Sequence, residues 1–487
     1  MKRFGFVLLA AAALMLAMPV QAQSLRGLGN KLKQAGQSMN NNSSKNNNSS
    51  SSSSNASAGA VSTGNNGNVW YVSQTTGSNR NDGSREKPLK NLQKAIELAS
   101  SGDVIRVAEG NYYGMLNSGN IKIDKGLSIF GGWSPDFSER DILGHRTYVQ
   151  PTATSNGSAS GQGTIQINVM QRGTLVELDG LIIDRGNSIA YNPRGEGQPE
   201  GVETPMMQPI GTAGIGAPGV PEESVSTTET AMIYIQTGAM CDLTVRNCAL
   251  INGPNFGIIG TTNNTKIIID NCIFVNIRMA AVELRGGSPS INSETQFTNN
   301  TILFTWSRLK DFGDMGYGFR YMPKMDSYLD HNIIGCSIFS ALDRTHVDSP
   351  ASKEAERITT CENTLFFLNR QTDLTLPGGG MFLRVKVADF EDVEQLAQVE
   401  GNKEITDPSI FQGKINEAYL KGFLSATYSE KLSYDPNSSN NTFRQAMGMN
   451  MTGTMSSKAS MFANHYPVED ALKLFGAVEG YGAQLPK

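Results

Sequence analysis

The sequence LTVRNCALIN at residues 243–252 is followed by IIIDNCIFVN at residues 267–276, so one short pattern occurs twice. Each copy contains an apolar strand, a polar turn and a second apolar strand. The turn asparagines Asn247 and Asn271 lie 24 residues apart. A period of this length, built from short strands and small turns, is typical of a solenoid in which each repeat stacks on the previous one.

The same turn recurs further along the chain, at intervals of 29, 32 and 31 residues. Asn suits such a turn because it tolerates left-handed backbone geometry. Its amide can also bond to the equivalent amide one rung away, since neighbouring strands lie about 4.8 Å apart. We therefore predict one asparagine ladder, formed by Asn247, Asn271, Asn300, Asn332 and Asn363.

Length and composition favour an elongated β-rich protein. At 487 residues the chain exceeds the usual size of a single globular core. Its 51 glycines, with only 18% charged residues, fit a turn-rich β-structure better than a helical one. A formal net charge of −4 does not favour nucleic acid or anionic membranes as partners.

The N-terminal residues predict export. Residues 1–22 combine a charged start at Lys2-Arg3 with an apolar stretch and an A-x-A-like site ending at Ala22, which is typical of a signal peptide. Residues 23–68 are rich in Asn and Ser and predict a disordered linker. No later stretch is long and apolar enough to predict a transmembrane segment.

Five cysteines leave at least one thiol free if any disulfide forms. Cys248 and Cys272 occupy the same position of the repeat and should stack on each other. They could form a disulfide or a metal pair, or be two small buried side chains. No CxxC motif or nearby His indicates a metal, so we predict buried thiols.

The folded part begins with a predicted strand at residues 69–73. A helix with an apolar stripe follows at residues 89–99, and an alternating strand follows at residues 103–113. The first rung of a solenoid has an open end, and a short amphipathic helix is a common cover for it. We therefore predict an N-terminal capping helix.

Residues 71–114, read as YVSxxxGSNxNDGSxxxPLKNLQKAIELASSGDVIRVAEGNYYG, resemble the start of bacterial pectate-lyase-like right-handed parallel β-helix proteins. The resemblance is close over residues 69–132 and looser, as rungs, over 165–411. Residues 407–411, DPSIF, are similar to the turn that often closes such helices. The resemblance implies this fold and a place outside the cytoplasm: secreted, periplasmic or at the cell surface of a bacterium.

The predicted fold class is all-β: a right-handed parallel β-helix at residues 69–411 with an irregular C-terminal cap at residues 412–487. Residues 134–163 and 187–229 lack strand or helix periodicity and predict long loops at one edge of the solenoid. Such loops commonly build a binding face. The resemblance implies an extended polysaccharide as the partner, bound along a groove beside one sheet.

A lyase of this family would need a cationic base, and Ca²⁺ or a cationic side chain to neutralise the carboxylate of the sugar. The candidates fall at or near strand ends. Catalytic candidates are Arg278, Arg285, Lys310, Arg320 and Arg344, substrate-binding candidates are Trp306 and Tyr317, and candidate Ca²⁺ ligands are Asp311 and Asp314.

Two further readings compete with the lyase. A hydrolase would need two carboxylates about 5–10 Å apart, and the candidate pairs are Glu283 with Asp311 and Asp326 with Asp343. A non-catalytic protein that binds a polysaccharide would need neither arrangement. Because the charged residues are spread thinly along the chain, we favour binding, with a lyase that cleaves an acidic, uronic-acid glycan by β-elimination as the alternative.

Overall fold

The computed structural model describes residues 65–114, 120–150, 163–184, 231–253, 255–306, 316–345, 358–377, 383–427 and 466–486. The predicted signal peptide and the predicted linker as far as residue 64 fall outside these ranges. Residues 65–68 already belong to the fold, because the side-chain amide of Asn65 donates to Ser128 Oγ at 3.0 Å and to the carbonyl of Leu175 at 3.1 Å.

The strands form three sheets, here named A, B and C. Sheet A contains Val69–Val72, Val104–Ala108, Ser128–Trp133, Leu175–Asp179, Asp242–Arg246, Lys266–Asp270, Ser293–Thr298 and Met325–Asp330. Sheet B contains Gly110–Tyr113, Thr147–Gln150, Leu181–Asp184, Ala249–Gly253, Ile273–Ile277, Thr301–Thr305, Ile333–Ser337, Leu365–Phe367 and Lys403–Ile405. Sheet C contains Ile121–Ile123, Gly163–Ile167, Ala231–Ala239, Phe256–Thr262, Ala280–Gly286, Tyr317–Tyr321, Ser340–Asp343, Thr372–Leu376 and Leu383–Val385.

From Val104–Ala108 to Ser340–Asp343 the chain visits sheets A, B and C in turn, and each pass is one rung of a solenoid. Strands of successive rungs pair in parallel; the antiparallel strand Leu383–Val385 at the end of sheet C is the exception among the described strands. This order and register define a right-handed parallel β-helix. The predicted fold class is confirmed.

The interior is built from columns of apolar side chains in register. On sheet A, Val245 pairs with Ile269, Ile269 with Phe297, and Phe297 with Leu329, and all four side chains are fully buried. The strand period of two therefore sends alternate side chains into the core. Each rung buries its inner face only by stacking on its neighbours, which is why the repeat reads as a solenoid.

Helix α1 (Leu92–Leu98) covers the N-terminal end of the solenoid. Asn91 caps it by accepting a hydrogen bond from the backbone N–H of Lys94 at 3.1 Å. The side chain of Gln93 accepts from the N–H of Lys122 at 2.8 Å and donates to its carbonyl at 3.2 Å. Because Lys122 lies in an edge strand of sheet C, Gln93 supplies the partners that a next strand would give.

The turn between sheets A and B contains two neighbouring columns of polar residues. The prediction of one ladder formed by five asparagines is therefore wrong. One column has positive φ and consists of Asn247, Asn271, Asn299, His331 and Asn363. Asn271 Nδ2 donates to Asn247 Oδ1 at 2.7 Å, as a ladder requires. Asn300 and Asn332 lie one residue later and point inward, where Asn300 Oδ1 accepts from the N–H of Cys272 and Asn332 Oδ1 from that of Asn300.

The predicted buried thiols are confirmed. Cys248 and Cys272 precede the paired residues Ala249 and Ile273 and lie in the inward column of the same turn. All five cysteines are free and buried. Burial raises the pKa of Cys272 well above its ordinary value, and Cys248 beside it adds to the effect.

The outward face of sheet B is apolar and is covered by C-terminal residues. Helices α2 (Glu417–Thr427) and α3 (Val468–Leu472) and the turns around them pack on it. Polar contacts fix the position: Asn252 Oδ1 accepts from the N–H of Tyr466 at 2.8 Å, and Asn271 Oδ1 accepts from that of Gln484 at 2.6 Å. Residues 466–486 thus run along the flank of several rungs.

Two short 3₁₀ helices complete the described elements. The first is Val387–Asp392, in which Val387 and Phe390 are buried. Pro408–Phe411 forms the predicted DPSIF turn, in which Asp407 accepts a hydrogen bond from the N–H of Ser409 at 2.9 Å. Phe411 then packs against Phe367 of sheet B, with ring centroids 5.0 Å apart.

Candidate functional site

The longest intervals between consecutive described strands come directly before or after strands of sheet C. Residues 185–230 and 306–316 lead from sheet B into sheet C, and residues 344–358 lead from sheet C towards the next rung. Most connections between sheets A and B are only one or two residues long, with residues 134–146 as the main exception. Insertions collected at one face of a solenoid commonly mark its binding face.

A charged column crosses the outward face of sheet C. Glu283 pairs in register with Arg320, and Arg320 pairs with Asp343 on the next strand. The outward direction follows from the alternation, because the neighbouring residues Val282, Phe319 and Leu342 lie in the core. One guanidinium is therefore held between two carboxylates by the register of three adjacent strands.

The guanidinium of Arg320 makes a hydrogen bond to each carboxylate. Nε donates to Asp343 Oδ2 at 2.9 Å and Nη1 donates to Glu283 Oε2 at 2.6 Å. The guanidinium carbon lies 4.7 Å from the ring centre of Tyr317, within cation–π range. Nη2 has no hydrogen-bond partner among the described residues, although the side chain is only 3% exposed.

Asp343 is a structural carboxylate. It is fully buried, and its Oδ1 accepts from Thr345 N–H at 3.0 Å and from the hydroxyls of Thr345 and Thr375, each at 2.7 Å. With Arg320 on Oδ2, this carboxylate receives four hydrogen bonds. Glu283 differs because its side chain is 15% exposed and reaches the surface.

The charge state of Arg320 follows from these contacts. Burial alone would lower the pKa of Arg320, but the carboxylates of Asp343 and then Glu283 outweigh it, and the net pKa is raised above its ordinary value. A guanidinium so held keeps its proton. Arg320 is therefore arranged to present N–H donors and is poorly suited to act as a general base.

The other catalytic candidates are dispersed. Arg285 is exposed on the same strand as Glu283, paired with Thr261 of the preceding rung. Arg278 follows the sheet B strand Ile273–Ile277, and Arg344 is buried directly after Asp343. Lys310, with the candidate Ca²⁺ ligands Asp311 and Asp314, lies outside the residues that the structure describes.

Both aromatic candidates are packing residues. Trp306 is buried and packs edge-on against Phe423 of helix α2, with ring centroids 5.0 Å apart. Tyr317 is buried between Arg320 and Phe339, whose ring centre lies 5.4 Å from its own. A role of either ring in contacting a substrate stays a prediction.

The hydrolase pairs do not form among the described residues. Asp326 lies on sheet A, where it accepts from the amide of Asn292 at 3.0 Å, and Asp343 lies on sheet C. The proposed partner of Glu283, Asp311, lies beyond the described ranges. Glu283 and Asp343 are two strands apart, yet Asp343 is fully buried and its oxygens are already bonded.

Sheet A presents an acidic outward face. Asp179, Arg246, Asp270, Thr298 and Asp330 follow one another in register, and Asp330 pairs with Glu362. Burial, followed by the charges of Asp330 and Glu400, raises the pKa of Glu362. An acidic polymer would be repelled from this face.

No group of three or more His, Cys, Asp or Glu side chains within the described part of the chain is arranged to hold a metal ion. The Ca²⁺ site stays a prediction for that reason, since its candidate ligands are not described. None of the described helices is both long enough and apolar enough to cross a bilayer.

The sequence offered Glu283 and Asp343 as hydrolase carboxylates but missed that both bond to Arg320. Glu283 and Asp343 lie 37 and 23 residues from it, and only the strand register brings the three together. A signal was present: Glu283, Arg320 and Asp343 each directly follow or precede apolar residues of a strand, which marks a polar position on a sheet face.

Residues 75–302 match a family model described as a protein of unknown function, DUF1565, which is less than half of the chain. No curated protein matches the chain. Among solved structures, it is similar to the pectin methylesterase PemA from Erwinia chrysanthemi, with 12% identity, a TM-score of 0.36, and coverage of 69% of this chain and 89% of that one.

A rhamnogalacturonan lyase is similar at 12% identity and a TM-score of 0.33, covering 86% of this chain and 100% of that one. A GH136 lacto-N-biosidase from Eubacterium ramulus is similar at 11% identity and a TM-score of 0.32, and the match spans 69% of this chain and 55% of the biosidase. These scores assign no activity. The fold of the present chain is defined by its strand register.

Proposed function

We propose that the protein binds an extended polysaccharide along the outward face of sheet C. The observation that carries this proposal is the Nη2 group of Arg320, a buried donor without an acceptor among the described residues. Leaving such a donor unpaired costs about 1–3 kcal/mol. An oxygen of a ligand that reaches this buried atom would recover that cost, and Arg320 lies on the sheet whose strands adjoin the longest intervals between described strands.

The exposed arginine of sheet C favours an acidic polysaccharide over a neutral one. The exposed Arg285 lies two residues after Glu283 on the same strand and adds a second cation to the outward face of sheet C. Sheet A, in contrast, carries a row of carboxylates. Arg320 already uses Nε and Nη1 on Asp343 and Glu283, which leaves Nη2 as its one unpaired group toward described residues. The exposed guanidinium of Arg285 can recognise a carboxylate through paired hydrogen bonds, so this face is the better partner for uronic acid units.

Binding is preferred to lyase activity because the pKa of Arg320 is raised and the guanidinium keeps its proton. A lyase would have to take its base from another candidate, such as Arg285 or Lys310. β-Elimination of a uronic-acid glycan is therefore the alternative function.

Affinity electrophoresis through gels that contain single polysaccharides, acidic or neutral, tests the proposal. Retardation by an acidic polysaccharide should be reduced in Arg320→Gln and in Arg285→Gln, an exposed position where the fold is not at risk. Arg246→Gln on sheet A is the matched control and should bind normally. No retardation in any gel, or an equal loss in the control, would overturn the proposal. Absorbance of an unsaturated product in the same mixtures would indicate the lyase.

We also propose that the protein is exported from a bacterial cell. The charged start, apolar stretch and small-residue site of residues 1–22 support this. Mass spectrometry of the mature protein should find an N-terminus after Ala22.

A further inference from the structure

The outward face of sheet B carries a groove at its first two rungs, beside the part that the C-terminal residues cover. Its volume is about 620 Å³, which lies within the range of small-ligand sites. It is lined by Gln74, Thr75, Glu109, Gly110, Asn111, Leu143, Gly144, Arg146 and Tyr148. It is distinct from the arginine-bearing face of sheet C.

The groove has an aromatic and amide-bearing floor. Asn111 and Tyr148 pair in register on neighbouring strands, so both side chains project outward from sheet B. Asn111 is exposed, and Tyr148 is half-buried against the apolar side chains outside that sheet. Leu143 adds an apolar wall, so the site offers both an apolar surface and an amide.

Hydrogen bonds hold the polar side chains of the walls in place. Glu109 Oε2 bonds to His145 Nδ1 at 2.7 Å, and the other ring nitrogen of His145 bonds to Glu139 at 3.0 Å. Gln74 Oε1 accepts from the N–H of Asn111 at 2.9 Å. The Glu109 carboxylate and the Gln74 amide are therefore oriented before any ligand arrives, which lowers the entropic cost of binding.

We propose that this groove binds a neutral, hydroxyl-rich ligand of the mono- or disaccharide class. Planar carboxylate and amide groups can each bond to two adjacent hydroxyls, with the carboxylate accepting and the amide doing both. The tyrosine ring and Leu143 provide the apolar surface on which the C–H face of a sugar ring packs. The lining carries one carboxylate, Glu109, and one guanidinium, Arg146, which is paired with Glu469, so the groove has no excess charge that would select an ion. This proposal does not depend on the polysaccharide site of sheet C.

Saturation-transfer NMR on the full chain, with glucose, galactose, N-acetylglucosamine, lactose and cellobiose as probes, tests the site. At least one sugar should give a signal. The double variant Glu109→Ala/Asn111→Ala should weaken its binding about tenfold or more, because several hydrogen bonds are lost together. Glu294→Ala is the control, because it removes a carboxylate from sheet A, away from the groove. This variant should bind the sugar as tightly as the unaltered protein does.

Two results would overturn the proposal: no signal from any of the five sugars, or a double variant that binds as well as the unaltered protein. Thermal melting of the double variant shows whether it is folded. Tyr148→Ala provides a second variant, which removes the ring and leaves both hydrogen-bonding groups in place. Arg320→Gln should not affect this binding, so failure of the sheet C proposal is distinguishable.

Discussion

Arg320 donates from Nε to Oδ2 of Asp343 at 2.9 Å, and both side chains are buried on the outward face of sheet C. Asp343→Asn should lower the free energy of unfolding by about 3 kcal/mol, because it leaves a buried guanidinium short of a counter-charge. Guanidinium chloride denaturation followed by circular dichroism measures this. Glu283→Gln should cost less, since that side chain is partly exposed. Equal losses in the two variants would contradict the assignment of Asp343 as the structural partner.

Asn299 and Asn300 are adjacent in sequence and differ in role. Asn300→Ala should cost about 2 kcal/mol, because it strands the N–H of Cys272 and the carbonyl of Ile269, both buried and now bonded to its amide at 2.8 and 2.9 Å. Asn299→Gly should be tolerated much better, because glycine accepts the φ of 53° at this position. Denaturation midpoints of the two variants give the comparison. A larger loss at Asn299 would show that the turn, and not the inward amide, sets the stability.

His145 makes stability depend on pH. Its hydrogen bond to Glu109, with a second to Glu139, raises the pKa of His145 above its ordinary value. The folded state therefore favours the protonated ring. This contribution is complete below the unfolded pKa of about 6.5 and is lost as pH rises through the folded pKa. The difference in melting temperature between the unaltered protein and His145→Gln should be largest near pH 5.5 and should shrink by about pH 8.5. A constant difference would contradict this.

The cysteines should be unreactive in the folded protein. Burial raises the pKa of Cys361 to about 12 and that of Cys241 to about 11, so almost no thiolate is present near neutral pH. Titration with a thiol-specific chromogenic disulfide should find no rapidly reacting group until denaturant is added, and five afterwards. A fast-reacting thiol in the native protein would contradict the buried, reduced assignment.

The asparagine turn shows how far the sequence leads. Spacing identified the solenoid and placed Asn247, Asn271 and Asn363 in the positive-φ column. It misplaced Asn300 and Asn332 by one residue, because the sequence offers two adjacent polar residues there. Only the pairing of the following strand decides which of them turns and which points inward. The sequence also does not show which residues of neighbouring strands pair, so it did not reveal the grouping of Glu283, Arg320 and Asp343.

The covering of sheet B was less predictable still. Residues 412–487 predict a cap because they lose the repeat, but the repeat alone does not say which surface they cover. The outward side chains of sheet B are apolar, which is the signal that the sequence held. This signal can be interpreted only once the strand register is known. The register places Ala249, Ile273 and Leu365 on the outward face, while their neighbours in the chain fill the core.

Residues 466–486 follow every rung in the chain. The apolar outward face of sheet B therefore stays exposed to solvent until this last segment has been synthesised. An incompletely synthesised chain would thus expose a row of isoleucine, leucine and phenylalanine side chains to chaperones and to aggregation. Folding of this solenoid is therefore complete only when the C-terminal residues cover sheet B, and not when the last rung has stacked.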